Sequence, residues 1–510
     1  MMGRQSPYQY KMFMKGFSLE ERVRKDHVLR RISEEVDFDF IYEEVQDSYG
    51  VNGNVSVPPP VILKMMLLLI LYNVRSEREL MLTIPERMDW MWFLGYDLDD
   101  EIPDHSVLSK ARARWGVGAF RRFFERIVGQ CVEVGLVDGS KLFVDASLIQ
   151  ADASNNSVVD REKLQEELDR GYQRLEERLD EVERPLKSAA ANARFISTTD
   201  SDASVVRQGA GQPRLRYKTH RAVDAQQEVI TATVVTPGAT DEGAVLGEVL
   251  SRHEQNTERK VETAVADSRY GTMENYLLCH EAGIRAHIPS LEGSQQGSGR
   301  REDIFPREAF RYDRKTDRFL CPAGKTLRRR HFYKDRKHYE YRADSGVCAR
   351  CGLRAKCTRS SYGRTLKRHE QQEALDQMRK QSQSLEARQD IKTRQHLSER
   401  SFARSTRYGY KRARWRGLWR VRIQDFLVAA IQNIIVLITY AMGKLSKSKS
   451  PLTKATGLFR SFAKKACFSL KEYWFFLNSM IYLYPRQFGQ QPVNSRKTAP
   501  RFTSDCPFPY

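Results

Sequence analysis

The most informative stretch of the chain is KTRQHLSERSFARSTRYGYKRARWRGLWRVR, residues 392–422. It contains eleven Lys and Arg residues and a single acid, Glu399. A segment this basic is expected to lie against a polyanion, and nucleic acid is the obvious candidate. Glu399 should stay ionised at neutral pH because cations surround it. It either neutralises neighbouring arginines or holds a divalent metal ion where a phosphate backbone passes.

Composition indicates a globular chain with a polyanionic partner. The 510 residues carry a formal net charge of +20, with 40% hydrophobic and 29% charged residues, which favours two to four folded domains. Residues 392–422 and 443–510 each have a net charge of +10, and the remainder balances. This uneven distribution favours a directed binding surface over general solubility.

No membrane or secretory segment is expected. The N-terminus lacks the apolar core of a signal peptide. Apolar runs at 61–72 and 426–442 contain Lys64 and the pair Gln432 and Asn433, so we interpret both as buried core helices. Eight cysteines, four of them clustered, indicate a reducing compartment with a metal site. We therefore expect a cytoplasmic protein.

The order of predicted elements indicates the α/β class. Helices come first, and from residue 141 the order is strand, helical insertion, strand, strand, helix, strand, helix, strand. The insertion has a short leucine seam over 160–182, which either packs within the chain, the favoured interpretation, or pairs with a second copy. The predicted segments are a helical DNA-binding or dimerisation domain (1–135), the first part of the α/β core (136–289, with a coiled-coil insertion at 155–215), a Cys-containing insertion (290–390), the C-terminal helices of the core (391–443) and a basic aromatic tail, partly disordered (444–510).

Two acids follow the apolar runs of predicted strands. Asp145 follows the run 142–144 of the predicted strand 141–150 and is interpreted as an acid at a strand's end, and Asp267 comes after the strand 261–266. The carboxyl ends of strands in an α/β sheet meet at one edge, and a helix crossing that edge could add Glu399. Three carboxylates can hold two Mg2+ ions around a phosphodiester. Turn formation and arginine pairing are the structural alternatives.

Other acids are interpreted as structural or solvated. Asp224 lies inside a strand-turn pair and is expected to be structural. Asp152 and Asp200 could be reserve metal ligands, but solvation in a loop is the favoured interpretation.

Four cysteines in the insertion have the spacing C-x26-C-x2-C-x5-C, namely Cys321, Cys348, Cys351 and Cys357. Four thiolates can form a tetrahedral zinc site, which would stabilise an insertion with little core of its own. Buried free thiols are the alternative.

These stretches together resemble a DDE-type insertion-sequence transposase of the insertion-sequence 1182 group, which has an RNase H-like catalytic core. The resemblance extends to about residue 442. It rests on FVDASLIQADAS, STTDSDA, YKTHRAVDAQQEVITATVVTPGATDEG, VADSRYGTMEN, FLCPAGKTL, CARCGLRAKC and ERSFARSTRYGYKRARWRGLWRVRIQDFLVAAIQNI.

The resemblance implies a metal-dependent enzyme that cleaves and rejoins DNA strands. Asp145, Asp267 and Glu399 would be the catalytic triad that binds Mg2+ or Mn2+ and activates water, then a 3′ hydroxyl. The partners would be terminal inverted repeats and target DNA, bound by a homodimer. Phosphates would be held by Arg404, Arg407, Lys411, Arg412, Arg414 and Arg416.

One position departs from the family pattern. Such transposases often carry a Lys six or seven residues beyond the Glu, whereas this chain has Ser405 and Thr406 there, flanked by Arg404 and Arg407. Either arginine substitutes for the lysine, or the chain is a catalytically inactive transposase-derived DNA-binding protein. A nuclease of the same fold, which cuts without joining, is a third hypothesis.

Overall fold

The computed structural model describes residues 2–4, 18–50, 54–161, 195–290 and 304–447. Most of the predicted coiled-coil seam, and the predicted tail from residue 448 onward, lie outside the described residues. The described residues form an N-terminal helical part, a mixed sheet between helices, and a second sheet that contains four cysteines. The predicted α/β class is confirmed.

The N-terminal helices surround one apolar helix, α4. Eleven of its thirteen residues are buried, as expected for a helix inside a bundle. It begins at Pro59, because the fixed φ of proline suits the first helical turn. The longest of the N-terminal helices, α7, bends at Gly116, which has a φ of +63°. The helices are α1 (Leu19–Arg22), α2 (Val28–Glu35), α3 (Phe40–Val45), α4 (Pro59–Leu71), α5 (Glu77–Thr83), α6 (Met88–Leu94) and α7 (Ser106–Glu133).

The central sheet has an antiparallel half and a parallel half. The order is β4-β5-β1-β7-β8, and β6 also pairs with β5. Strand β1 is antiparallel to β5 and parallel to β7, which in turn is parallel to β8. The strands are β1 (Lys141–Gln150), β4 (Ser204–Val206), β5 (Arg214–Asp224), β6 (Ile230–Pro237), β7 (Thr263–Val265) and β8 (Arg285–His287), and a separate pair is formed by β2 (Val158–Asp160) and β3 (Phe195–Ser197).

The sequence misplaced the start of β5. The strand was predicted from residue 221 but begins at Arg214, inside the predicted helical insertion, which also supplies β4. Leu215 and Tyr217 are buried, but they alternate with charged residues that made the segment look like a loop. One of these, Lys218, is itself buried and lies 3.0 Å from the carboxylate of Glu242.

Helices cover both faces of the sheet. On one face, Leu142 and Val144 of β1 belong to the apolar cluster that contains residues of α8 (Leu246–Thr257), α9 (Met273–Glu281) and α11 (Gln372–Ser382). On the other face, Phe143 and Val265 pack with Leu397 of α12 (Leu385–Arg407). Helix α11, which packs on this sheet, lies within the range 290–390 predicted for the insertion.

The last helix, α13 (Leu418–Lys447), lies in the largest apolar cluster. Among the described residues, Leu418–Met442 alone is long and apolar enough to cross a membrane, and 67% of its apolar window is buried in the protein. Its mid-helix Asn433 bonds both backbone groups of Ile230, at 2.9 and 2.8 Å. Asn433, which interrupts the apolar run, therefore attaches α13 to β6, as expected for a buried core helix.

The four cysteines belong to an antiparallel sheet in the order β13-β12-β11-β10-β9. Its small core contains Phe310, Phe319, Leu327, Tyr341 and Leu366. We call residues 311–369 the cysteine-containing sheet. Its elements are β9 (Arg311–Asp313), β10 (Arg318–Leu320), β11 (Thr326–Tyr333), β12 (His338–Arg342), α10 (Ser345–Ala349) and β13 (Thr365–His369).

Candidate active site

Asp145 lies in β1, and Asp267 lies two residues beyond the end of the neighbouring parallel strand β7. The last register pair of β1 and β7 is Phe143 with Val265, and each aspartate comes two residues later. Side chains two residues apart share a face of a strand, so both carboxylates lie on the face that α12 covers. The prediction that Asp145 closes its strand is wrong: β1 continues to Gln150 in its pairing with β5. The pairing of β1 with β7 ends earlier, at Phe143.

The carboxylate of Asp145 is largely buried and has two partners. Its Oδ1 accepts a 2.8 Å hydrogen bond from the Ala146 N–H, and its Oδ2 lies 2.6 Å from the guanidinium of Arg394. Burial raises the pKa of Asp145, the charge of Arg394 opposes this rise, and the charge of Asp267 adds to it. The two aspartates are therefore close enough to repel each other.

Glu399 lies on the helix that covers these aspartates. Its side chain is exposed, and its carboxylate accepts a 3.3 Å hydrogen bond from the Gln395 amide. Two residues earlier, Leu397 packs on Phe143 and Val265, so α12 crosses the sheet beside the aspartates. Within the described ranges, Asp145, Asp267 and Glu399 do not form a group with ligand atoms all within 4.8 Å of one another.

Charged contacts fix the register of α12 on the sheet. Near its start, Asp390 lies 3.0 Å from the Nζ of Lys141 in β1. One turn later, Arg394 bonds Asp145. Near its end, Arg404 bonds Glu228 at 2.7 Å. Sequence reasoning missed these partners, although the four-residue spacing of Asp390 and Arg394 was a usable signal for one helix face.

One other group of metal-type ligands is present in the described part of the chain. His287, Glu386 and Asp390 have ligand atoms within 4.8 Å of one another. The ammonium of Lys141 lies 3.0 Å from Asp390 and 3.5 Å from Glu386. The carboxylates therefore already have a cation, and this cluster anchors the start of α12.

Several predicted phosphate ligands contact the protein itself. Arg412 lies 2.7 Å from the carboxylate of Asp152, and Arg416 lies 3.4 Å from it. Arg414 bonds the carbonyl of Val74 and the side chain of Asn73, which joins the basic segment to the N-terminal helices.

The acids predicted to be loop-solvated hold the basic segment. Asp200 is only 3% exposed and accepts hydrogen bonds from the Tyr217 hydroxyl and the Gly417 N–H. Asp202 accepts a 2.7 Å bond from the N–H of Leu418, in the first turn of α13, where backbone donors need acceptors. The expectation of solvation was wrong because the capped helix end is distant in sequence. Asp224 is structural as predicted: it accepts from the Gly139 N–H at 2.8 Å.

A cleft of about 540 Å3 lies between β1 and α12, and none of Asp145, Asp267 and Glu399 lines it. One wall is the second half of β1, and the other is the end of α12, including Phe402 and Thr406. The exposed Lys411 lies at this cleft, whereas the exposed Arg407 follows Thr406 on α12. The cleft thus follows the two elements that carry Asp145 and Glu399.

The four cysteines influence one another electrostatically, but within the described residues their Sγ atoms do not form a group all within 4.8 Å of one another. Burial raises the pKa of Cys357, Arg364 opposes the rise, and Cys348, Cys321 and Cys351 add to it. The Sγ of Cys321 accepts a 3.3 Å hydrogen bond from the Lys325 N–H. The cysteines described are free thiols.

Comparison with known families identifies two regions of the chain. Residues 17–114 match a transposase domain of the DUF772 family, and residues 320–438 match a transposase DDE domain. Together, these two domains support a DDE-type insertion-sequence transposase. The second match covers α12 with Glu399, so this DNA transposase carries the domain that cleaves and transfers strands. No curated protein and no solved structure matches the transposase.

Proposed function

We propose that the transposase cleaves and joins DNA at insertion-sequence ends with Asp145, Asp267 and Glu399 as its catalytic carboxylates. These residues would hold Mg2+ or Mn2+. The observation that supports the proposal is the register of β1 and β7, whose last pair, Phe143 with Val265, lies two residues before Asp145 and Asp267. The resemblance to the insertion-sequence 1182 group, and an RNase H-like arrangement of the mixed sheet, form part of the same proposal.

The residues present fit a divalent cation. All three candidates offer carboxylate oxygens, the ligands that Mg2+ prefers. Asp145 is largely buried and senses the charge of Asp267, and a cation between them would relieve this repulsion. When bound, the metal would polarise the phosphodiester and lower the pKa of water. Glu399 would complete the ligand set from the exposed side of α12.

The basic segment would position the DNA strand. Arg407 and Lys411 are exposed and, among the described residues, make no side-chain ion pair, so both are available to phosphates. Arg404, Arg412, Arg414 and Arg416 are proposed as secondary contacts because each already bonds the protein. Arg407 would take the place of the family's lysine. A homodimer acting in the cytoplasm on two terminal inverted repeats remains part of the proposal.

The first test is cleavage of labelled DNA that carries the flanking ends. We expect nicking at the ends with Mg2+ or Mn2+, none after chelation with EDTA, and recovery when Mg2+ is restored in excess. Joining of the released 3′ end to a second DNA separates a transposase from a nuclease. End-specific binding without cleavage in either metal would contradict the catalytic proposal and favour the inactive DNA-binding protein.

We further propose that Cys321, Cys348, Cys351 and Cys357 bind one structural Zn2+. The electrostatic influence of the other three thiols on Cys357, the four-thiol ligand set and the backbone N–H donated to Cys321 support this proposal. Purified protein should contain about one zinc per chain, as expected for one four-ligand site, and Cys351→Ser should lose it. Elemental analysis measures the content, with the buried Cys279→Ser as the control. Equal zinc in the two variants would contradict the site.

A further inference from the structure

The cysteine-containing sheet and the residues next to it carry a large excess of positive charge. Residues 305–370 contain 20 Lys and Arg and 7 Asp and Glu, a net charge of +13. The sequence-based expectation placed the excess charge in two C-terminal segments. Outside those two segments the net charge is zero, because other parts of the chain carry excess acidic residues that offset the positive charge of this sheet. A net charge this large either meets an anionic partner or destabilises the folded state through self-repulsion.

The two faces of this sheet differ. One face carries the apolar core, since Phe319 pairs with Leu327 and Tyr341 pairs with Leu366. The neighbouring row, on the opposite face, pairs Arg318 directly with Arg328, and Arg328 with Arg342. Three arginines therefore lie side by side across three adjacent strands. We call Arg318, Arg328 and Arg342 the arginine row.

The arginine row places like charges opposite each other. Adjacent strands are about 4.8 Å apart, and like charges directly opposite each other are destabilising. On its other side Arg318 has Asp313 of β9 as its register partner, without an ion pair within 4.0 Å among the described residues. Arg318 and Arg328 are exposed and have no carboxylate within 4.0 Å in the part of the chain described, whereas Arg342 lies 2.6 Å from Glu340. At the same end of the sheet, Arg329 and Arg330 each have an aspartate partner, Asp317 and Asp344.

We propose that the arginine row is a second DNA-binding surface, which holds the phosphates of duplex DNA apart from the catalytic site. This inference rests on the DNA-binding function of the transposase. Duplex DNA presents about one phosphate charge per 1.7 Å of its axis, so three adjacent guanidinium groups can meet several phosphates at once. Arginine also bonds phosphate oxygens in a bidentate manner. The contact is independent of base sequence, because it reaches only the backbone.

The test compares two full-length double variants that lose the same charge. Arg318→Gln with Arg328→Gln removes two members of the row. Arg329→Gln with Arg330→Gln removes two arginines that have carboxylate partners. Binding of a labelled DNA duplex is measured over a range of salt concentrations. Each lost phosphate contact lowers the slope of log K against log salt by about 0.9.

We expect the first double variant to lose about 1.8 from this slope, the contribution of two phosphate contacts, and the second to keep the wild-type slope. Thermal unfolding should show no loss of stability in the first variant, because the substitutions remove two like charges that lie directly opposite each other. Equal slopes in the wild type and the first variant, or equal losses in both variants, would overturn the inference. A wild type that binds no DNA would instead overturn the proposed function itself.

Discussion

Asp145→Asn and Asp267→Asn are each expected to slow end cleavage by about a thousandfold or more, the scale of several kcal/mol of lost metal-assisted stabilisation. Asparagine has nearly the same shape as aspartate, but its amide lacks an anionic oxygen for a divalent cation. The two aspartates flank the end of the β1–β7 pairing, so each loss removes half of the shared ligand pair. Glu399→Gln should have the same direction of effect.

The measurement combines three readouts on each variant: single-turnover cleavage, DNA affinity without metal, and Mn2+ affinity. We expect cleavage and Mn2+ binding to fall together while DNA affinity remains close to that of the wild type. Asp138→Asn is the matched control, because Asp138 is exposed and bonds only its own loop at Ser140. Cleavage by either catalytic variant at the rate of this control would show that the carboxylate is not a metal ligand.

The sequence predicted the two aspartates well because the signal is local. An apolar run followed by an acid marks a strand that leads into a polar site, and Asp145 and Asp267 both have this pattern. The closeness of the two aspartates in the fold results from the parallel pairing of β1 and β7. The bounds of β1, residues 141–150, were also predicted, whereas the position of Asp145 inside the strand, and not at its end, depends on the pairing with β5.

The partners of these residues could not be predicted, because they depend on tertiary contacts. Arg394 was counted among the DNA-facing cations, yet its guanidinium lies under α12 against Asp145 and is only 12% exposed. Asp200 looked like a loop residue, but it bonds a helix start 217 residues away, at Gly417. Hydrophobic periodicity predicts which face of a helix or strand is buried, but it does not predict which distant element packs against that face.

Arg394→Met is expected to lower the free energy of unfolding by about 3 kcal/mol at neutral pH, the scale for removing one partner of a buried ion pair. The pair is well shielded, with side-chain exposures of 12% for Arg394 and 22% for Asp145. Methionine keeps an unbranched apolar stem in the space that arginine occupied. Asp145 would then lie buried beside Asp267 without its cation.

A double-mutant cycle separates lost charge from lost packing. Chemical denaturation is measured for Arg394→Met, Asp145→Asn and the double variant, all without divalent metal. If the charge of Asp145 causes the cost, adding Asp145→Asn to Arg394→Met should restore most of the lost stability. Arg388→Met, on the same helix, is the control for the substitution itself, since Arg388 is exposed. Additive losses in the double variant would mean that packing, and not the ion pair, is the contribution of Arg394.

The pH dependence gives an independent check with a defined sign. Burial already raises the pKa of Asp145, and Arg394 opposes that rise, so the pKa should be higher still in Arg394→Met. A carboxyl group with a raised pKa in the folded state binds protons more readily there than in the unfolded chain, and acid therefore favours folding at this site. The stability deficit of Arg394→Met should be largest near neutral pH and should shrink as the pH falls through the raised pKa, because protonation removes the uncompensated charge. A deficit that is constant with pH would place the role of Arg394 in packing and leave Asp145 without an electrostatic partner.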